Sequence, residues 1–221
     1  RLGGGGAYRS FTLSTKLLQE IKEKIVPVVE AITLSGGEAF YAPESLDLIE
    51  AISSYSPEKN LSVFTNGTLL HRFGIQRIMR RNIGLRVSFY GMSRKTYRMI
   101  TGVDLFTQMY DNVRALLSEG YPNIVLIYVL SSRTVVDIEP FCEFVIGSPS
   151  IKYGLIHTNF YEGRKYHSLM KTLARKYASE SARLIFDRRD EHVSKMILRK
   201  LYDPIHAARY RLWRFSQGSY A

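Results

Sequence analysis

The stretch Ala31-Ile32-Thr33-Leu34-Ser35-Gly36-Gly37-Glu38-Ala39-Phe40 decides how the chain is read. A short apolar strand runs into two adjacent glycines and one carboxylate, and Pro43 then opens a helix. Paired glycines at a strand end let the backbone take conformations closed to residues with a Cβ, and let a ligand approach it closely. Glu38 follows the C-terminal end of a strand, where parallel α/β sheets and barrels place their binding groups. A tight turn carrying a solvated glutamate is the plain alternative for this stretch taken alone.

Working outward, the same grammar recurs. Ser14 is a plausible N-cap for a helix with Leu17, Leu18, Ile21 and Ile25 on one face, ended by Pro27. Val28 to Ser35 reads as a buried-strand run broken by Glu30, where the strand begins. The Pro43 helix carries Leu46, Ile49, Ala51 and Ile52, with Glu44 and Asp47 where the helix dipole favours acid. Leu61 to Thr65 is a strand, Asn66-Gly67 a turn, and Leu69 to Arg80 a helix. Gly84 to Ser88 is a strand, followed by a short helix from Ser93. Phe106 to Ser118 is amphipathic, with Met109, Val113, Leu116 and Leu117 inward and Gly120 as its stop. Asn123 to Leu130 is a strand, Ile138 to Ile146 a helix and Ile151 to His157 a strand.

Five rounds of helix and strand over residues 11–157 demand a parallel sheet covered by helices, since each crossover is right-handed and hides a buried face. Past Asn159 basic helices are expected around Lys165 to Ala178 and Arg189 to Leu201, with a strand at Leu184 to Phe186. The expected organisation is a core over residues 1–160 and a basic, mostly helical extension over 161–221.

Composition narrows the function classes. A hydrophobic share of 45% against 23% charged residues is that of a folded globular chain. No apolar run approaches the roughly eighteen residues a membrane span needs, so no membrane partner is expected. The single cysteine, Cys142, rules out an internal disulfide within these residues and points to a cytoplasmic setting. The five histidines show no metal-ligand spacing. Charge is uneven: residues 1–160 carry 17 Lys/Arg against 14 Asp/Glu, residues 161–221 carry 14 against 6. Lys165, Lys171, Arg175, Lys176, Arg188 and Arg189 could receive RNA or a phosphorylated molecule, or form a solvated face.

Several strand ends now line up: Ser35-Gly36-Gly37-Glu38, then Thr65-Asn66-Gly67-Thr68, then Val87-Ser88-Phe89-Tyr90-Gly91, followed by Ile100-Thr101-Gly102 and Asn112-Val113-Arg114-Ala115-Leu116. In this order, over residues 14–130, the chain resembles the radical S-adenosylmethionine superfamily. The resemblance implies a partial (β/α)6 TIM-like barrel, here lacking its first strand. It implies that Gly36, Gly37 and Glu38, with Ser35 at the strand end, hold the amino group of S-adenosylmethionine. An ammonium needs acceptors fixed in place, which a carboxylate and freed carbonyls provide. Ala39 stands where the family has proline. Ser88 matches a strand-end position that binds the cofactor's carboxylate or ribose; Thr65 and Asn66 match polar positions lining the pocket, and Ser131 lies where ribose and adenine are met.

The family's radical chemistry also needs a [4Fe–4S] cluster on a Cys-x-x-x-Cys-x-x-Cys loop, and an electron donor. Cys142 alone cannot supply three thiolates. The cluster is therefore expected only if its ligands lie upstream of Arg1, which would also account for the missing first strand. The alternatives are a cluster-less homologue that binds nucleic acid through its basic tail, and a TIM-like sugar-phosphate enzyme using Ser35-Gly36-Gly37 as a phosphate cradle.

Overall fold

The computed structural model of the chain describes residues 14–55, 60–158, 163–180 and 183–187. Its strands are β1 (Ala31–Leu34), β2 (Asn60–Thr65), β3 (Gly84–Phe89), β4 (Ile124–Leu130), β5 (Ile151–Thr158) and β6 (Leu184–Asp187). They lie in one sheet in the order of the sequence, and the registers of β1 with β2, β2 with β3, and β5 with β6 are all parallel. The helices between them are α1 (Thr15–Glu20), α2 (Pro43–Tyr55), α3 (Leu70–Phe73), α4 (Ile75–Arg80), α5 (Arg94–Thr101), α6 (Phe106–Ser118), α7 (Ile138–Ile146) and α8 (His167–Lys176). This is the α/β architecture that the alternating pattern required.

Two compact units divide the described residues. One comprises those up to residue 88 together with 106–124; the other comprises 89–105 and those from 125 onward. In the first unit β2 alternates, burying Leu61, Val63 and Thr65, and α2 buries Leu48, Ile49 and Ile52. Helix α6 buries Met109, Asn112, Val113 and Leu116, a stripe at three- and four-residue spacing. Tyr121 closes the unit by donating from its hydroxyl to the carbonyl of Ile83 at 2.5 Å. In the second unit β4 buries the consecutive residues Val125 to Tyr128, as a strand covered on both faces does. Its aromatic core joins Phe141 to Phe89 and to Tyr128, with ring centroids 5.8 and 4.7 Å apart.

Three local expectations are corrected. After α1 the chain continues as a π-helix over Ile21–Ile25 and a 3-10 turn over Val26–Val28. Ile25 at the end of that π turn is 49% exposed and Leu17 before it is 43% exposed, so the expected single apolar face is not buried as one stripe. The strand expected from about Glu30 is present as β1 but is not buried: Thr33 is exposed, its other residues are half-buried, and Val28 ahead of it is 77% exposed. Its place at one end of the sheet leaves it paired with β2 alone. The helix expected over Leu69 to Arg80 is divided at Gly74 into α3 and α4. The helix expected at Arg189 to Leu201 lies outside the described residues.

Candidate functional site

The site grows from the C-terminal ends of β1, β2 and β3 in the first unit. The registers pair Leu34 with Val63 and Thr65 with Val87, so Ser35-Gly36-Gly37, Thr65-Asn66 and Ser88 come at neighbouring positions along the strand ends. Gly36 and Gly37 have φ of 94° and 51°, in the region that favours glycine, and a Cβ built on either would meet nothing within 4 Å. Space is open there; the glycines are demanded by the backbone, and they leave their peptide groups bare.

Glu38 is the hub. One carboxylate oxygen accepts from the Thr65 hydroxyl at 2.7 Å and from the Phe40 N–H at 3.1 Å, and the other accepts from the Asn66 N–H at 2.8 Å. Thr65 accepts in turn from the Gly67 N–H at 2.9 Å, which commits its own proton to Glu38. A carboxylate offers about four acceptor directions. Three are used by the protein, and the one left lies on the oxygen bound to Asn66. The half-buried carboxylate thus ties the end of β1 to the end of β2 and keeps one acceptor for another donor.

The turn after β2 is held as firmly. Asn66 Oδ1 accepts from the Thr68 N–H and hydroxyl at 2.9 and 2.7 Å, an Asx turn. Beneath it, Asn112 Nδ2 donates to the carbonyls of Gly67 and Thr68 at 2.9 and 3.1 Å, and Gln108 Nε2 donates to Thr68 at 2.8 Å. The supporting roles of Gln108 and Asn112 are not apparent from spacing to any strand end. The signal was a polar residue, Asn112, inside the apolar stripe of α6, with Gln108 one turn before it. Asn112→Ala is expected to destabilise the chain by about 2 kcal/mol, because the Gly67 carbonyl loses its side-chain donor and the Thr68 carbonyl keeps only that of Gln108. Guanidinium unfolding checks this; an unchanged midpoint would remove Asn112 from its supporting role.

Seven of the eight expected cofactor-binding residues, Ser35 through Glu38 with Thr65, Asn66 and Ser88, belong to this first unit. Only Glu38, Thr65 and Asn66 among them are joined by hydrogen bonds, and the Ser88 side chain has no such partner among the described residues. Ser131 belongs to the second unit, where its hydroxyl meets Thr134 Oγ1 at 3.1 Å and accepts from the Arg133 N–H at 3.3 Å. Its hydroxyl is engaged in building its own turn.

Among the described residues no group of three His, Cys, Asp or Glu is placed to hold a metal ion. Cys142 is buried on α7, and burial followed by the nearby Glu139 carboxylate pushes its thiol up to about 12. A thiol so placed is a poor nucleophile and a poor ligand. It is expected to react with Ellman's reagent at pH 8 only when the chain is unfolded; reaction at a free-thiol rate would contradict its burial. Since its ordinary value is 9.0 and the folded value is higher, the unfolded chain alone ionises above pH 9. Stability is therefore expected to fall as pH rises from about 9 toward 12. A chemical-denaturation series across that range checks the sign.

Fold and site together define a parallel α/β protein with its polar groups gathered at the C-terminal strand ends. The family model "Radical SAM superfamily" matches residues 6–145, and the chain belongs to that superfamily. Among curated relatives, a "Probable GTP 3′,8-cyclase" of Saccharolobus islandicus is 24% identical over 115 residues, covering 52% of this chain and 37% of the relative. A "GTP 3′,8-cyclase" of Trichodesmium erythraeum is 28% identical over 131 residues, covering 56% of this chain and 40% of the relative. The chain thus spans well under half the length of these relatives. Among solved structures, "Native anSMEcpe with bound AdoMet" aligns with a TM-score of 0.64 at 13% identity, covering 86% of this chain and 59% of that one. No helix among the described residues is long and apolar enough to cross a membrane.

Proposed function

We propose that the chain is the S-adenosylmethionine-binding core of a radical enzyme. The observation that carries this reading is the Glu38 carboxylate, fixed between two strand ends with one acceptor direction unused, beside two glycines whose peptides are open. An ammonium suits that acceptor. The amide N–H groups of the Asn66 side chain and the hydroxyl of Ser88, neither of them engaged by the protein among the described residues, suit a carboxylate or ribose. A carboxylate anchored beside the glycines argues against a phosphate cradle at Ser35-Gly36-Gly37, because it would repel the anion.

When S-adenosylmethionine is bound, its one-electron cleavage supplies a 5′-deoxyadenosyl radical in this superfamily. The chain's own residues bind and orient: Glu38 holds the ammonium, Thr65 and Asn66 hold Glu38, and Gln108 and Asn112 hold the turn that carries Asn66. The residues present do not suit a [4Fe–4S] cluster, since one buried thiol cannot replace three thiolates.

For substrate, the curated relatives' name makes a purine nucleoside triphosphate the first class to test. Lys165, Lys171 and Arg175, exposed in the second unit, are basic groups available for phosphates, whereas Lys176 bonds Glu139 at 2.6 Å. Arg188 and Arg189 lie outside the described residues. A cytoplasmic setting and a basic extension over residues 161–221 belong to the same proposal. Calorimetry of the full chain tests the reading: saturable heat with S-adenosylmethionine is expected. Binding of inorganic phosphate with no response to S-adenosylmethionine would overturn it.

A further inference from the structure

A surface in the second unit is built unlike an ordinary solvated helix. Helix α5 turns Thr96 and Tyr97 inward, and Ser93 caps its first turn by accepting from the Thr96 N–H at 3.2 Å. The opposite side presents Arg94, Lys95, Arg98 and Met99, which with Asp104 line an open cavity of about 540 Å³. The lone carboxylate is hydrogen-bonded by Arg94, whose Nε donates to its two oxygens at 3.2 and 3.1 Å; that bond, with a smaller attraction from Arg98, holds Asp104 below the usual carboxylate range. Lys95 has no ion-pair partner among the described residues. Its positive charge belongs to a wider bias, since Lys59 to Val103 contains nine Lys/Arg and no Asp/Glu.

Apolar groups stand beside the cations. Of the eight large hydrophobic side chains that are exposed among the described residues, three fall within seven positions: Met99 at 45%, Val103 at 49% and Leu105 at 39%. Scattered apolar residues need no explanation, but a cluster rimmed by unneutralised charge marks an interaction site. Arginine and methionine are also the residues enriched at interface centres.

We propose that α5 and the turn through Leu105 form a docking face for an acidic polypeptide segment. Its carboxylates would meet Arg94, Lys95 and Arg98, and an apolar side chain would rest on Met99, Val103 and Leu105. Charge complementarity selects the occupant. A second copy of this chain carries a net +11 and is repelled, and residues 188–221 hold eight Lys/Arg against three Asp/Glu. Nucleic acid would want an exposed ring for base stacking, and the ring on this helix, Tyr97, is buried at 2% exposure. A small anion would want an enclosed pocket, whereas this concavity is open.

The test uses fluorescence anisotropy of the full chain with a fluorescein-labelled synthetic peptide of alternating Glu and Leu, at low salt and at about 0.15 M. Saturable binding that weakens with salt is expected. The charge reversal Lys95→Glu/Arg98→Glu is expected to weaken it about tenfold or more, because close charge pairs are replaced by repulsion. Met99→Ser/Val103→Ser is expected to weaken it about threefold or more with all charges kept. An equal reversal at exposed positions elsewhere, Arg80→Glu/Arg114→Glu, is expected to leave affinity within about twofold, the loss of long-range attraction alone. No binding at low salt overturns the proposal. So does an equal loss in the Arg80/Arg114 variant, which would mean attraction by net charge only. Retained affinity in the Met99/Val103 variant overturns it as well, as does displacement of the peptide by pyrophosphate or oligouridylate at lower concentration than by unlabelled peptide. Far-UV circular dichroism of each variant reports folding separately; the substitutions leave Thr96, Tyr97 and Ser93 in place.

Discussion

Glu38→Ala is expected to abolish S-adenosylmethionine binding, with calorimetric heat falling to the level of dilution. The substitution removes the carboxylate that accepts from Thr65, Asn66 and Phe40 at the strand ends. A charge-assisted bond to an ammonium contributes about 1.5–3 kcal/mol, so its loss alone weakens affinity by roughly ten- to a hundredfold. The freed turn adds to that loss, because Asn66 is then held from below alone. Glu38→Gln separates the two effects. It keeps an acceptor oxygen for part of the network, removes the charge, and offers N–H donors where the ammonium needs an acceptor. Its far-UV spectrum is expected to match the parent while binding falls at least about tenfold. Unchanged affinity in Glu38→Gln would remove the charge from the site. Thr65→Val is expected to fall between parent and Glu38→Ala, since Glu38 keeps its bonds to Asn66 and Phe40.

The second large effect falls on Gly91, just past β3. Its φ is 143°, and a Cβ added there would lie 2.6 Å from Thr96 Cγ2 and 2.7 Å from Thr96 Cβ. Neither neighbour can withdraw. Thr96 is buried and its N–H is committed to the Ser93 cap. Asp137 Oδ2, 3.1 Å from the same point, accepts from the Met92 N–H at 2.8 Å and lies 3.3 Å from the Ser93 hydroxyl. Gly91→Ala therefore combines backbone strain of about 1–3 kcal/mol with overpacking of about 1–3 kcal/mol. Against a total stability of about 5–15 kcal/mol, much of the folded margin is lost. A sharply lowered guanidinium midpoint or insoluble expression is expected. Asp137→Asn, which keeps the shape of that corner, is expected to cost only about 1–2 kcal/mol. A Gly91→Ala midpoint equal to the parent's would show that the corner can relax.

Much of the fold was legible because it depends on local patterns. The spacing of Met109, Val113 and Leu116, with Gly120 beyond, marked α6 at Phe106–Ser118, and the apolar run after Asn123 marked β4. Both elements bury one contiguous set of side chains, and burial is written directly into residue type. The π turn after α1 and the break at Gly74 were not legible. A π bulge changes the hydrogen-bond step without changing composition, so the periodicity of Leu17, Leu18, Ile21 and Ile25 suggested a face that the backbone does not present. Nor did the apolar run up to Ser35 reveal that β1 would stay partly exposed, because strand position in a sheet depends on partners far along the chain.

The candidate site divides in the same way. By itself the sequence determined the parallel α/β class, the family, and the ordered strand ends at Ser35-Gly36-Gly37-Glu38, Thr65-Asn66 and Ser88. Those follow from short-range chemistry: glycines where the backbone turns, apolar residues where strands are buried. Tertiary structure alone decided what Glu38 does. Its donors Thr65 and Asn66 lie 27 and 28 residues away, brought to it only because β1 and β2 pair in parallel with their ends together. The same holds for Asn112, whose amide reaches Gly67 and Thr68 across 45 and 44 residues. One of the three donors to Glu38, the Phe40 N–H, is a chain neighbour; the other two, and with them the fixing of the carboxylate between two strand ends, are assembled by the sheet.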